Sequence, residues 1–227
     1  MKGFFILLIT VFISVGSVAQ EGAYIGLRLI PQSAWILNQD DFDSGEFDFG
    51  IPFSFAYAIA GGYMFNNSIG IEVQMLYSPQ GQVYVDSEEN DLFTIKNDYF
   101  KIPVLFRMRA GEEKLGFLFN FGPQFGFLTG SKIIAEQDPS ESLTDTRAFY
   151  EDFEVALALG FGVSIELGSQ FYLDLLINLS YGLTEIETDF GKIALNELYE
   201  SPTIDRAKSN NAVAGFSIGL NYVFGTE

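Results

Sequence analysis

Beyond residue 20 the chain is dominated by a period of two. Phe53, Phe55, Tyr57 and Ile59 alternate with Ser54, Ala56, Ala58 and Ala60, the pattern of a strand whose two faces meet different surroundings. Ile69, Ile71, Val73, Met75 and Tyr77 oppose Gly70, Glu72, Gln74 and Leu76 in the same way. Phe100, Ile102, Val104, Phe106 and Met108 oppose Lys101, Pro103, Leu105, Arg107 and Arg109, which puts three cations on one face. The pattern continues through residues 117–127, 154–166, 171–184 and 211–224, and with residues 23–35 it predicts eight strands. Short connections at 65–68, 111–114 and 168–170 alternate with long ones at 36–52, 80–97, 131–152 and 185–210. That rhythm predicts an all-β, antiparallel, up-and-down sheet of eight strands.

The chemistry of the two faces sets the solvent. One carries most of the Phe, Ile, Leu and Val and excludes charge, while the other carries Gly, Ala, Ser, Asn, Gln and isolated charges. Eight strands enclose too little room for the aromatic face, so the small and polar face points inward and the apolar face meets lipid. Strands of ten or more residues are long enough to cross a bilayer when tilted. The reading is a transmembrane β-barrel, closed because open sheet edges in hydrocarbon would leave backbone groups unpaired. Tyr24, Trp35, Tyr57, Tyr63, Tyr77, Tyr99, Tyr172, Tyr181 and Tyr222 fall near strand ends, where amphipathic rings favour membrane interfaces. Pro103 and Pro123 interrupt strands that a closed barrel pairs on both sides, so irregular pairing is expected there.

The first twenty residues read as an address. Lys2, an apolar run from Phe4 to Val15 and small residues at Ser17 and Ala19 predict a signal peptide, residues 1–19, cut after Ala19. Residues 20–227 then form a single barrel domain in a bacterial outer membrane, with both termini and the short turns periplasmic and the long loops at the cell surface.

Composition narrows the function. The 227 residues include no Cys and no His, and 30 acids against 12 Lys and Arg give a formal net charge of −18. Phosphate-tracking nucleic-acid binding is disfavoured by that balance. Neither a thiolate nucleophile nor an imidazole base is available, so the common nucleophile–His hydrolases are excluded. A carboxylate pair such as Glu166 and Asp174 has no accompanying substrate logic, and no cofactor is expected. The four long connections hold 21 of the 30 acids, so the negative charge is displayed at the surface.

Tyr99-Phe100-Lys101-Ile102-Pro103-Val104-Leu105 and Phe121-Gly122-Pro123-Gln124-Phe125-Gly126-Phe127-Leu128 resemble the strand-turn-strand signature of the PorT-like outer-membrane β-barrels of Bacteroidetes-type bacteria. The resemblance implies a cleaved signal peptide and an eight-stranded barrel, with roles in protein secretion or gliding for a few members. This chain departs from it in carrying Lys101 where many relatives are expected to carry an acid, and in ending Phe224-Gly225-Thr226-Glu227.

Candidate chemistry lies in two places. Strand directions put Glu72, Arg107, Arg109, Glu166 and Asp174 at one level in the periplasmic third of the interior. There they are expected to form a charge-paired plug, with Arg107 nearest Glu72 and Arg28 extending the network from mid-height. A proton- or ligand-responsive gate is the sharper form of this reading. At the surface, Asp40, Asp41, Asp43, Glu46 and Asp48 lie within nine residues, and Glu88, Glu89 and Asp91 form a second cluster. Hard oxygens at such spacing are candidate ligands for Ca²⁺, although the spacing is not that of an EF-hand. Phe42, Phe47, Phe49, Phe93 and Phe149 accompany them, either as a contact surface for a partner or packed on one another.

Three functions remain open. The protein is a non-enzymatic structural or assembly component of the envelope, with secretion-type proteins as candidate partners; a surface receptor or adhesin acting through its loops; or a lumen that conducts or senses an ion. In each case outer-membrane lipid and lipopolysaccharide surround it.

Overall fold

The computed structural model describes residues 22–39, 48–85, 91–112, 114–136, 138–198 and 207–224. The expected signal peptide and the acids Asp40, Asp41, Asp43, Glu46, Glu88 and Glu89, like Phe42 and Phe47, lie outside the described residues. The described strands are β1 (Gly22–Asn38), β2 (Asp48–Gly50), β3 (Phe53–Met64), β4 (Ile69–Val85), β5 (Asp91–Glu112), β6 (Leu115–Ala135), β7 (Phe153–Gly168), β8 (Phe171–Gly182) and β9 (Ser209–Val223). A helix, α1 (Asp189–Leu198), precedes β9.

Every pairing is antiparallel, in the order β4-β3-β1-β9-β8-β7-β6-β5, and pairing of β4 with β5 closes the barrel. Eight strands make the wall. The short β2 adds to β4 above the point where β3 leaves it, pairing Phe49 with Tyr84. Closure leaves no edge in hydrocarbon, which is what lets this backbone sit there.

Alternation along each strand sorts the side chains as the sequence pattern requires. Leu27, Phe55, Ile59, Met75, Phe117 and Phe161 face outward and are exposed, whereas Arg28, Ala58, Glu72, Gln124 and Asp174 are buried. Tyr57, Tyr77, Phe100, Phe127 and Phe153 are successive cross-strand partners, forming one aromatic row across five strands. Such pairs stabilise neighbouring strands and suit a lipid-facing wall. Three of the expected interface rings are elsewhere: Tyr24, Tyr99 and Tyr172 share the parity of Arg28, Lys101 and Asp174 and point inward, the first two buried and the third lining the short-turn end of the lumen.

The pairing ladder is interrupted at the prolines. Between Val73–Val104 and Leu76–Lys101 no β4–β5 partners are assigned, and between Pro103–Gln124 and Phe106–Phe121 none join β5 to β6. The register on either side is nonetheless the same, because proline removes a donor without adding a residue. The true shifts lie at Tyr84/Val85, Asp98/Tyr99 and Glu166/Gly168.

The segments expected as long loops are partly sheet. β4, β5 and β6 run on to Val85, Asp91 and Ala135, so the 80–97 connection is mainly a hairpin. The hydrophobic pattern inverts there. Below, Phe100 and Ile102 face out and Lys101 faces in; above, Lys96 faces out while Ile95 and Tyr99 are buried inside. Water replaces lipid outside the wall, so the apolar side chains turn to the interior. Ile36, Tyr84, Ile95, Tyr99, Leu128, Ile133, Tyr150, Ile186 and Leu195 form a core at this outer end, with Phe49, Phe93 and Phe149 packed against it. α1 contributes Leu195 and is started by Thr188, whose hydroxyl accepts the amide of Gly191 at 2.9 Å.

Candidate functional site

The interior is organised as stacked layers, each set by strand register. In the lowest layer β1 supplies Arg28, β4 Glu72, β5 Arg107 and β8 Asp174. Arg28 Nη2 lies 2.8 Å from Glu72 Oε2 and 3.4 Å from Asp174 Oδ2. Arg107 reaches the same two oxygens, Nη1 at 3.1 Å from Glu72 and Nη2 at 2.7 Å from Asp174. Each arginine therefore touches both carboxylates, giving a ring of four charges with no net charge. Tyr24 Oη donates to Glu72 at 2.7 Å and Gln74 Nε2 donates to it at 2.6 Å. Asn221 accepts from Arg28 at 2.6 Å and donates to Asp174 at 2.7 Å. The guanidinium forks and these amides meet most of the hydrogen-bonding capacity that burial would otherwise leave unpaired.

Glycines make the ring possible. Tyr24 and Glu72 both pair with Gly62 on the strand between them, and Arg28 and Asp174 both pair with Gly219. A Cβ at Gly62 would stand 2.3 Å from the Tyr24 ring, and one at Gly219 would stand 2.5 Å from Arg28 Nη1. The long side chains thus cross a strand that presents only backbone.

A second layer repeats the device. Lys101 and Glu154 both pair with Gly126, form an ion pair over it and are each about 1% exposed. Asn211 Nδ2 donates to the other Glu154 oxygen at 2.6 Å, and the Lys101 ammonium lies 4.8 Å from the Tyr99 ring centre. Between the layers is a cavity of about 60 Å³ lined by Gln32, Gln74, Ser78, Asn120, Gln124 and Asn178 among others, room for about two water molecules. Above Lys101 and Glu154 lies the outer-end core.

Of the six lumen charges singled out in the sequence, the structure brings Arg28, Glu72, Arg107 and Asp174 into one ring. Arg28 belongs to the ring itself instead of extending it from above, because the β1–β9–β8 register places Arg28, Gly219 and Asp174 in one row. Arg109 and Glu166 line a vestibule of about 280 Å³ at the short-turn end, where the Arg109 guanidinium lies 5.8 Å from the Tyr172 ring centre. The Lys101–Glu154 pair and Tyr24 were not among the candidates, although Gly126 and Gly62 marked where a side chain crosses. Of the acidic loop cluster, only the backbone of Asp48 is described, paired with Val85. Among the described residues no group of three acids is placed to hold a metal ion.

Chemically, this interior is suited to sealing. Two neutral ionic layers and an apolar core occupy successive levels of a bore that eight strands make narrow.

Known proteins offer a comparison for this architecture. The neisserial surface protein A is similar at a TM-score of 0.50 and 12% identity, over 89% of this chain and 97% of that one. OprG of Pseudomonas aeruginosa is similar at 0.44 and 12% identity, over 93% and 99% of the two chains. A major outer membrane protein of Thermus thermophilus is similar at 0.49 and 10%, over 89% and 99%. At its identity the first of these likenesses speaks for the fold alone, and the other two carry no argument. No curated protein matches the chain. The family model of the outer membrane protein beta-barrel domain matches residues 27–187, and the chain belongs to that family, an antiparallel barrel of the bacterial outer membrane whose apolar face lies against lipid.

Proposed function

We propose that this protein is a non-enzymatic, PorT-like barrel of a Bacteroidetes-type envelope, acting as a structural or assembly component and not as a pore. It reaches the membrane with a signal peptide over residues 1–19 and works by contacts with other envelope or secretion-type proteins, without cofactor or nucleic acid. One observation carries the reading: the bore is filled by two paired ionic layers and an outer apolar core. Function is thereby moved from the lumen to the ends and the outer wall. The absence of His and Cys from the sequence supports the non-catalytic part.

The test is brief crosslinking in native outer membranes, mild-detergent affinity purification and mass spectrometry. A reproducible stoichiometric protein partner is the expected result, and repeated recovery of the barrel alone would overturn the assembly role.

A second reading is a surface receptor or adhesin. Phe190 and Ile193 on α1 are each 60% exposed although they sit beside the outer-end core, an apolar display at the end that carries the acidic connections. Under this reading, deleting residues 40–48 abolishes binding of the surface ligand, with or without Ca²⁺ held by Asp40, Asp41, Asp43, Glu46 and Asp48. Under the assembly reading, the same deletion leaves partner recovery intact.

A further inference from the structure

We propose that Lys96 and Lys132 form a clamp on the outer wall for the phosphate groups of a phosphorylated glycolipid in the outer leaflet. The two residues are direct cross-strand partners on β5 and β6, both exposed. Direct partners project from the same face with Cβ atoms about 5 Å apart, where like charges repel and destabilise the pair. Such a pairing is conspicuous in a chain with only 12 Lys and Arg against 30 acids. Neither lysine makes an ion pair among the described residues. Of the acids close by in the chain pairing, Asp98, two positions along β5, accepts the Tyr77 hydroxyl at 3.0 Å, and Asp145, in the segment bonded to Ser131 and Ile133, accepts the Arg147 amide at 3.3 Å.

A bulge creates the pair. Asp98 pairs with Gly130 and Tyr99 with Leu128, so Thr129 is an extra residue in β6, and its hydroxyl donates to the Asp98 carbonyl at 2.9 Å. Strict alternation would send Lys132 into the interior with Leu128. The extra residue turns it outward beside Lys96 and leaves Ile133 inside. Side-chain-free positions lie on two sides of the pair, Gly81 as the β4 partner of Lys96 and Gly130 next but one to Lys132, while residues 143–146 run beside Ser131 and Ile133 on the third. An anion can therefore approach both ammonium groups from outside the wall.

The height fits a lipid headgroup. Met108 is the last large outward apolar residue of β5 before the short turn, and Lys96 is 12 positions above it. At about 3.3 Å per residue and a tilt near 40°, that is about 30 Å of height, just beyond an apolar band of about 25 Å. A soluble partner would not need the cations to stand on the outer wall just above the lipid, whereas a headgroup meets them there. The proposal is independent of the role assigned above.

The purified full-length barrel in detergent is mixed with bisphosphorylated lipid A, with the same lipid stripped of phosphate, and with inorganic phosphate, and native mass spectrometry reads bound lipid. Wild type is compared with Lys96→Gln, Lys132→Gln, the double variant and Lys114→Gln, a lysine at the opposite end of the barrel. The expected result is selective retention of the phosphorylated lipid, weakened roughly fivefold by each clamp substitution, with the Lys114 variant unchanged. Heat-modifiable gel migration verifies that each variant is folded. Equal retention by wild type and the double variant would overturn the clamp, as would retention indifferent to phosphate. Full competition by millimolar inorganic phosphate would overturn the lipid as its ligand.

Discussion

Glu72→Gln removes one charge from the lower ring while preserving side-chain size. Glu72 Oε2 accepts from Tyr24, Arg28 and Arg107 at 2.7, 2.8 and 3.1 Å, and the residue is fully buried. The substitution leaves two arginines facing one carboxylate, Asp174, which is itself fully buried. Breaking a buried pair from one side costs about 3–5 kcal/mol. With a urea dependence of about 2 kcal/mol per molar, the unfolding midpoint falls by about 2 M. The assay is reversible urea unfolding of the barrel in lipid vesicles, followed by the fluorescence of Trp35, the single tryptophan. The double variant Glu72→Gln/Arg28→Gln restores neutrality, and its midpoint is expected above that of Glu72→Gln alone. A Glu72→Gln midpoint within about 0.5 M of wild type, corresponding to a surface-like pair worth about 1 kcal/mol, would refute the reasoning that this ring is a desolvated unit.

Three further substitutions probe the glycine crossing of the lower ring and the two layers above it. Lys101→Met strands the buried carboxylate of Glu154 and is expected to cost about 3–5 kcal/mol in the same titration, most of it recovered in Lys101→Met/Glu154→Gln. Gly62→Ala places a methyl 2.3 Å from the Tyr24 ring; it is expected to destabilise by about 1–3 kcal/mol as overpacking, measured as a lowered thermal transition in detergent. Leu195→Ala opens the outer-end core, where this residue is fully buried, at a cost of about 2–5 kcal/mol; faster limited proteolysis of residues 185–210 with an unchanged membrane-embedded fragment is the expected readout.

The period of two made the barrel and its orientation legible, because lipid imposes apolar-out alternation on every crossing of the bilayer. The same rule concealed the upper wall. Above the membrane Ile95 and Tyr99 face inward and Lys96 faces outward, so a reading tuned to apolar-out strands ends them too early and calls 80–97 a loop. Lumen charges were recognisable by type, and four of the six meet. Their partners were harder to name, because pairing depends on register around a closed ring, which no single strand encodes. Arg28 reaches Asp174 across Gly219, and Lys101 reaches Glu154 across Gly126. Glycines on the inner face of a strand, such as Gly62, Gly126 and Gly219, were the local trace of these crossings. Tyr24 was misread as an interface ring because its place near a strand end outweighed its parity with Arg28.

The sealed interior is tested most directly by planar-bilayer recording of the purified full-length barrel inserted in both orientations. Wild type is expected to show no stable conductance steps above the bare-membrane baseline at either polarity. Reproducible single-channel steps from wild-type protein, scaling with salt concentration and altered by Glu72→Gln or Lys101→Met, would contradict a closed bore and return the function to the lumen.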